Sequence, residues 1–548
     1  MHLTSPIDDV RDGQDDMVVP TAGMVPLEHN PKEPHKTRAT IMNDGNAVVE
    51  PAATSNGATQ QTAISSVLHR SLHHDPLRVV SAEGSHLHLS NGQTIFDATG
   101  GAAVSCLGHG NERVRKAINH QMNEVSYCHS LFYGTSAAED LATLLIESTN
   151  GKMAKAFFIS SGSEAIEAAM KMARQYHLEK QPAEPSRTHF IARQQSYHGT
   201  TLGSLGLGGH VARRALFEPL LSTNTSHVSP CYAYRGFAFL DHEKSYIRRL
   251  EAELEAEFRR IGPQNVAAFV AEPVVGAALG CVPSVPGYFE AIRRVCDRHG
   301  ALLIMDEIMS GIGRVGPRPS EHYPKPLHAW QDPSVGVAPD IMTMGKGLGG
   351  GYMPIAAMLA NHKVIDALRK GAGAFSHGQT YQGHPLACRA ALEVQRIIRD
   401  DNLVANVRKQ GALLEKLLKE KLSLHPAVGD IRGQGLFWGI EFVTDKTTKA
   451  PFDPHEAVAM GMHELGMQEP YNISLYPGSG TVDGKSGDHI LLAPAYTASE
   501  DDIRHIVDTT AHVVSQYFEQ KYGAKFRMHK GGSAPLEAGL WSYGQTRG

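Results

Sequence analysis

Long apolar runs are missing from this 548-residue chain, and so is any strong excess of one charge. No stretch approaches the roughly 20 apolar residues needed to cross a bilayer, so a membrane-spanning role is not expected. Lysine and arginine number 52 against 57 aspartates and glutamates, for a net charge of −5. So weak a balance gives no reason to expect nucleic acid as the main partner. Cysteine is scarce: Cys106, Cys128, Cys231, Cys281, Cys296 and Cys388 are scattered with no CxxC pair. That pattern argues against a disulfide framework and a structural zinc site, and it suits a reducing compartment. The amino terminus lacks the apolar run of a secretion signal. Its Asp8, Asp9, Asp15 and Asp16 are foreign to a mitochondrial presequence, so the cytosol is the expected location.

Histidine, by contrast, is plentiful at thirty residues. His73-His74 and the alternating His86/His88 have no third ligand of suitable type nearby, so no metal site is expected.

Residues 1–63 are rich in Asp, Pro, Asn, Thr and Gly with little apolar periodicity, the composition of a disordered extension. Order is expected from about Ser65. Leu87–Leu89 and Thr94–Phe96 then flank Ser90-Asn91-Gly92, a hairpin signal. Strand-like runs follow at Lys155–Ser160, His189–Ala192, Val266–Ala271, Ala301–Met305, Ile341–Met344 and Ile355–Leu359. Helical patterns intervene from Ser163 to about Glu179, over Ser245–Arg260 and over Tyr288–His299. This alternation predicts an α/β fold with a mainly parallel central sheet covered by helices on both faces. Past Pro385, helical patterns at Leu386–Arg399 and Leu403–Leu422, strands at Gly435–Phe442 and His489–Leu492, and a helix at Glu500–Glu519 predict a smaller α+β domain. The expected division is 64–130 as the first part of the small domain, 131–385 as the large domain, 386–522 as the remainder of the small one, and 523–548 as a tail.

Three segments carry chemistry. In Ile159-Ser160-Ser161-Gly162-Ser163-Glu164-Ala165 a strand ends and a helix begins at or just after Ser163. Free N–H groups and the positive end of the helix dipole attract a phosphate there. Gly162 would let the anion approach and Ser163 would add a hydroxyl, although plain capping by Ser163 explains the same residues. In Ala301–Glu307 two acids, Asp306 and Glu307, close a strand of buried character. That places at least one at the carboxyl edge of the sheet, where such sheets bind ligands, unless it merely caps the next turn. Asp340–Gly351 holds a formal G-x-G-x-x-G, but a strand follows it where a dinucleotide site needs a helix. Lys346 precedes Gly347 rather than Ser or Thr, so this is not a P-loop either. A lysine between glycines at a strand end can form a Schiff base, and a dry site keeps its amine nucleophilic. An exposed loop lysine is the bland alternative. In combination, an anion cradle, a strand-end acid and this lysine on one sheet meet the demands of pyridoxal 5'-phosphate.

The same segments resemble the class III (omega-type) aminotransferases of the fold-type I pyridoxal-phosphate superfamily, from about Ser65 to Glu519. The motifs are SSGSEAIEAAMKMAR (160–174), SYHGTTLGSLGL (196–207), AEPVVG (271–276), LLIMDEIMSGIGRVG (302–316), PDIMTMGKGLGGGYMPIAAML (339–359) and HGQTYQGHPLAC (377–388). The resemblance implies that Lys346 is the Schiff-base lysine and proton carrier, and that Asp306 pairs with the pyridinium nitrogen. It implies phosphate binding by Gly162 and Ser163, ring packing by Tyr197 and Ile308, and ordering of the site by Glu272. Thr380 would reach the phosphate of a neighbouring subunit, making a homodimer with shared sites. Tyr197 and Ile308 could equally be core residues, Thr380 a turn cap, and His198 reads as a structural neighbour rather than a base.

The implied activity is ping-pong transfer of an amino group from an amine or omega-amino compound to a keto acid or aldehyde. The alternatives are other class III chemistry (aminomutase, decarboxylating transaminase, racemase or phospholyase) and, more distantly, a silent scaffold. Two departures bear on substrate. Asp97–Gly101 is followed by Ala102 and Ala103 where many relatives carry a bulky aromatic, leaving room for a larger amine. Relatives that bind carboxylates often place an arginine before the strand resembling His489–Pro494. Tyr476-Pro477-Gly478-Ser479-Gly480-Thr481 stands there instead, and Arg432 in IRGQG reads as structural or as a substitute.

Overall fold

A computed structural model of the chain describes residues 65–526. The expected extension at 1–63 and residues 527–548 of the expected tail lie outside the described residues. Ser90-Asn91-Gly92 does turn a hairpin, with His86–Leu89 antiparallel to Thr94–Asp97 and Leu87 opposite Ile95. Thr94–Asp97 also pairs in parallel with Ile473–Ser474, so strands far apart in sequence complete one sheet.

The central sheet has seven strands in the order Met153–Ile159, Ala356–Asn361, Ile341–Met344, Leu302–Asp306, Val266–Ala271, His189–Arg193 and Thr225–Val228. All run parallel except Ala356–Asn361, which is antiparallel to both its neighbours. Val266–Ala271 and Leu302–Asp306 are buried at every position, as central parallel strands covered on both faces must be. Their alternation divides the core. Phe269, Ala271, Leu303 and Met305 join one apolar cluster, with Phe289, Ile292 and Val295 from helix Tyr288–His299. Ala268, Val270, Leu302 and Ile304 join the other, with Ile166, Ala169 and Met172 from helix Gly162–Glu179.

A second sheet of four strands is antiparallel and orders as Val428–Gln434, Phe437–Phe442, Asp488–Leu492 and Tyr476–Ser479. The first and last of these were not expected, because VGDIRGQ is polar and YPGS carries turn formers. The expected tail at 523–548 begins too early. Gly523–Phe526 forms a last turn, and Phe526 is buried with its ring 5.3 Å from that of Phe518 and 5.8 Å from that of Phe452.

Candidate active site

Five chain segments leave the carboxyl ends of parallel strands and converge. Met153–Ile159 leads to Gly162 and Ser163, His189–Arg193 to Tyr197 and His198, and Val266–Ala271 to Glu272. Leu302–Asp306 ends on Asp306, and Ile341–Met344 leads to Lys346.

The anion cradle differs from expectation in one detail. The helix starts at Gly162 and is capped by Ser161, whose hydroxyl accepts from the Glu164 N–H at 3.3 Å. Glu164 returns the favour by accepting from the Ser160 N–H at 3.0 Å. Capping therefore falls to Ser161 and Glu164. Gly162 and Ser163 hold the first-turn N–H groups, which have no intrahelical partner and lie at the positive end of an 18-residue helix. Gly162 is glycine for a steric reason: a Cβ there would meet Ile308 Cδ1 at 2.8 Å. Ser163 Oγ accepts from the Thr200 N–H at 3.0 Å, tying the cradle to the segment that carries Tyr197.

Asp306 is buried and held on both oxygens. His198 Nδ1 lies 2.8 Å from Oδ2, the Ile308 N–H donates to Oδ1 at 3.0 Å, and Thr343 Oγ1 approaches Oδ1 at 3.4 Å from the adjoining strand. The expected structural part for His198 fits this contact: it orients the acid. Glu307, next along, points away from the site and accepts from the Ala329 and Trp330 N–H groups at 2.9 and 2.7 Å. Of the two strand-end acids, only Asp306 faces the convergence. Glu272 is buried and accepts from the N–H groups of Tyr197 and Gly276, each at 3.1 Å, so it fixes the Tyr197 backbone. Burial pushes its carboxyl above the usual range, with His198 opposing and Asp306 adding to the rise.

Lys346 has a φ of +44°, a left-handed conformation rare outside glycine, in a short turn before the antiparallel strand. Such strain persists only where surroundings enforce it, and it gathers at functional sites. Burial lowers the lysine amine below its usual range, the carboxylates of Asp306 and Glu272 pull it back, and Arg213 depresses it further. Lys346, Asp306 and Glu272 are thus electrostatic neighbours. A buried amine of lowered basicity, a fixed carboxylate and a helix N-terminus too close-packed for a side chain are features that pyridoxal phosphate fits.

Thr380 is not brought to this convergence; it is exposed in the loop after helix His362–Lys370. Arg432 proves structural. It is buried, pairs with Glu441 and Asp430 at 2.6 and 3.0 Å, and donates to the carbonyls of Gly280 and Leu279. Thr343 and Arg213 escaped sequence reasoning. Thr343 is a strand residue in IMTM whose register with Asp306 only the pairing reveals, and Arg213 lies in a run, VARR, that matches no motif.

A family model for class III aminotransferases (Aminotransferase class-III) matches residues 67–514. An aminotransferase of Gibberella zeae is 53% identical over 82% of this chain and 85% of its own length. Gamma aminobutyrate transaminase 3 of Solanum lycopersicum is 33% identical over 79% of each chain. Among solved structures, an amine transaminase from an uncultivated Pseudomonas species, in its PLP-bound form, superposes with a TM-score of 0.74. It is 30% identical, and the match covers 84% of this chain and 99% of that one. The chain belongs to the class III aminotransferases, fold-type I enzymes that move amino groups with pyridoxal phosphate.

Proposed function

We propose that Lys346 is the residue that holds the cofactor and carries the proton, and that the transferred amine comes from an amine or omega-amino compound. The observation that carries this reading is the left-handed turn that sets Lys346 just past the end of Ile341–Met344, where burial lowers its amine and the carboxylates of Asp306 and Glu272 act on it. Pyridoxal phosphate, when bound, supplies an aldehyde that accepts the amino group and a ring that takes up electrons. Gly162 and Ser163 would bind its phosphate through backbone N–H groups and the helix dipole. Tyr197 and Ile308 would pack against its ring. Asp306, kept in place by His198 and Thr343, would keep the ring nitrogen protonated, and Glu272 would hold the Tyr197 backbone. Lys346 Nζ, its basicity lowered by burial, would take the proton from the amine-bearing carbon of the donor in the first half-reaction and return one to the acceptor in the second. Lys346→Ala should abolish turnover with any donor while leaving the fold intact by circular dichroism. Near-native turnover in that variant would refute the assignment.

Thr380 fits a homodimer with sites at the subunit interface. It lies beside exposed Tyr381, whose ring is 6.1 Å from that of Tyr127, and Leu131, Phe132 and Tyr133 nearby in sequence to Tyr127 are exposed as well. So many apolar side chains in the open are what a second copy would cover. The expected division at residues 130, 385 and 522 is part of the same proposal. A cytosolic location suits the six free thiols, five of them buried. No helix among the described residues is long and apolar enough to cross a membrane.

A further inference from the structure

Helix Pro385–Asp400 packs an apolar face into the main core, through Ala391, Leu392, Val394, Ile397 and Ile398. Gln395 lies among them and is only 2% exposed. An amide in such surroundings is costly unless it is hydrogen-bonded, so its partners are informative. Its Nε2 donates to the carbonyls of Gly347 and Leu348 at 3.1 and 2.8 Å, the two residues that follow Lys346. Its Oε1 meets no donor among the described residues. The amide is committed to the lysine turn.

The left-handed φ of Lys346 lies between two anchored pieces of backbone. Before it, Thr343 and Met344 pair with Asp306 and Ala357 on the neighbouring strands. After it, Gln395 holds two carbonyls, and Cys106 Sγ approaches that of Gly347 at 3.5 Å. The Lys346 carbonyl accepts from the Gly349 and Gly350 N–H groups at 3.2 and 3.0 Å. Packing leaves little slack, since a Cβ on Gly349 would fall 2.6 Å from Ile355 Cγ2. A strained torsion persists only when both its flanks are fixed in this way. We propose that Gln395 is a positioning residue: by fixing the Gly347 and Leu348 carbonyls it keeps Lys346 in the turn that presents its amine to the cofactor. The inference rests on the Lys346 reading above, and the test separates the two.

Wild-type holoenzyme is compared with Gln395→Met, which keeps the bulk and removes the donor, and with Gln410→Met as a control. Gln410 is a buried glutamine of helix Leu403–Leu422 whose Nε2 donates to Asn406 at 3.3 Å. Hydrogen exchange, read by mass spectrometry on the peptide spanning 344–351, reports the turn directly. In Gln395→Met the Gly349 and Gly350 N–H groups should exchange about 10–30-fold faster, the scale of two lost hydrogen bonds. Gln410→Met should leave them at the wild-type rate. A looser turn also admits water and eases the burial that disfavours a protonated amine. The pH midpoint of the bound cofactor's absorbance change should therefore rise in Gln395→Met, by about half a pH unit or more, and not in the control.

Gln395→Glu adds a second variant. Its buried carboxyl is neutral at acid pH and donates one O–H, then becomes an anion facing two carbonyls as pH rises. Relative to the wild type at the same pH, exchange of its turn should accelerate across that rise. Unchanged exchange in Gln395→Met, an equal acceleration in Gln410→Met, or a midpoint that stays put overturns the proposal. If Gln395→Met does not fold, Gln395→Glu against the wild type decides by its exchange. Borohydride label on Lys346 together with unchanged exchange removes the Gln395 assignment alone. Label on another lysine removes the Lys346 reading and this inference with it.

Discussion

Asp306 and Glu307 are adjacent carboxyl residues, both buried, yet only Asp306 meets His198 and acts on the amine of Lys346. The difference is one of strand alternation, since successive side chains point to opposite faces. Sequence reading could place an acid at the sheet edge but left open which one, and the hydrogen bonds decide: Asp306 meets His198, Glu307 meets backbone N–H groups. Asp306→Asn should therefore lower kcat by about 10²–10³-fold, the scale of removing one preorganised electrostatic group. Glu307→Gln should leave kcat within a few-fold. Stopped-flow half-reactions on the two variants check this, and equal losses would place both acids in the chemistry. Lys346 was legible because glycines flank it at a strand end. Arg213 was not, because a cation–π contact leaves no trace in spacing.

Among elements, the strands of the large sheet were legible as short apolar runs, since central parallel strands are buried on both faces. The capping of helix Gly162–Glu179 was misplaced by two residues because Ser160, Ser161 and Ser163 are all competent caps, and only the geometry selects Ser161. Ser161→Ala should cost about 1 kcal/mol of stability. The cofactor should dissociate somewhat faster as the helix end frays, which urea unfolding and dialysis would measure. Packing beneath the cradle makes a sharper prediction. Gly162→Ala should place its methyl against Ile308, costing about 1–3 kcal/mol and weakening cofactor binding. Adding Ile308→Ala should restore much of the binding. A double-mutant cycle in cofactor affinity with no coupling would show that Ile308 is not what excludes a side chain at 162.

Over the whole molecule, burial has a pH signature. His328 and His489 are pushed down to about 3, and His177 and His425 to about 4, by burial in each case. Folded, these rings stay neutral below the point at which the unfolded chain takes up protons, near pH 6.5. The unfolded state therefore binds more protons between about pH 6.5 and those values, and stability is lost as pH falls through that window. Each such proton contributes about 1.4 kcal/mol per pH unit. Glu307 acts in the opposite direction. Burial raises it to about 8, so the stability linked to its proton is complete below the ordinary carboxyl value and is lost as pH rises through about 8. Thermal melts across this range should show a maximum near neutrality, and His425→Gln should flatten the acid limb. An acid limb unchanged in slope would mean that His425 titrates normally.

The sheet, the cradle and the acid matter functionally only if they surround one lysine. Borohydride reduction of the holoenzyme, followed by peptide mapping by mass spectrometry, tests this most directly. A pyridoxyl-phosphate mass on the peptide containing Met344-Gly345-Lys346-Gly347 is the predicted result; the label on another lysine, or on none, would contradict the assignment.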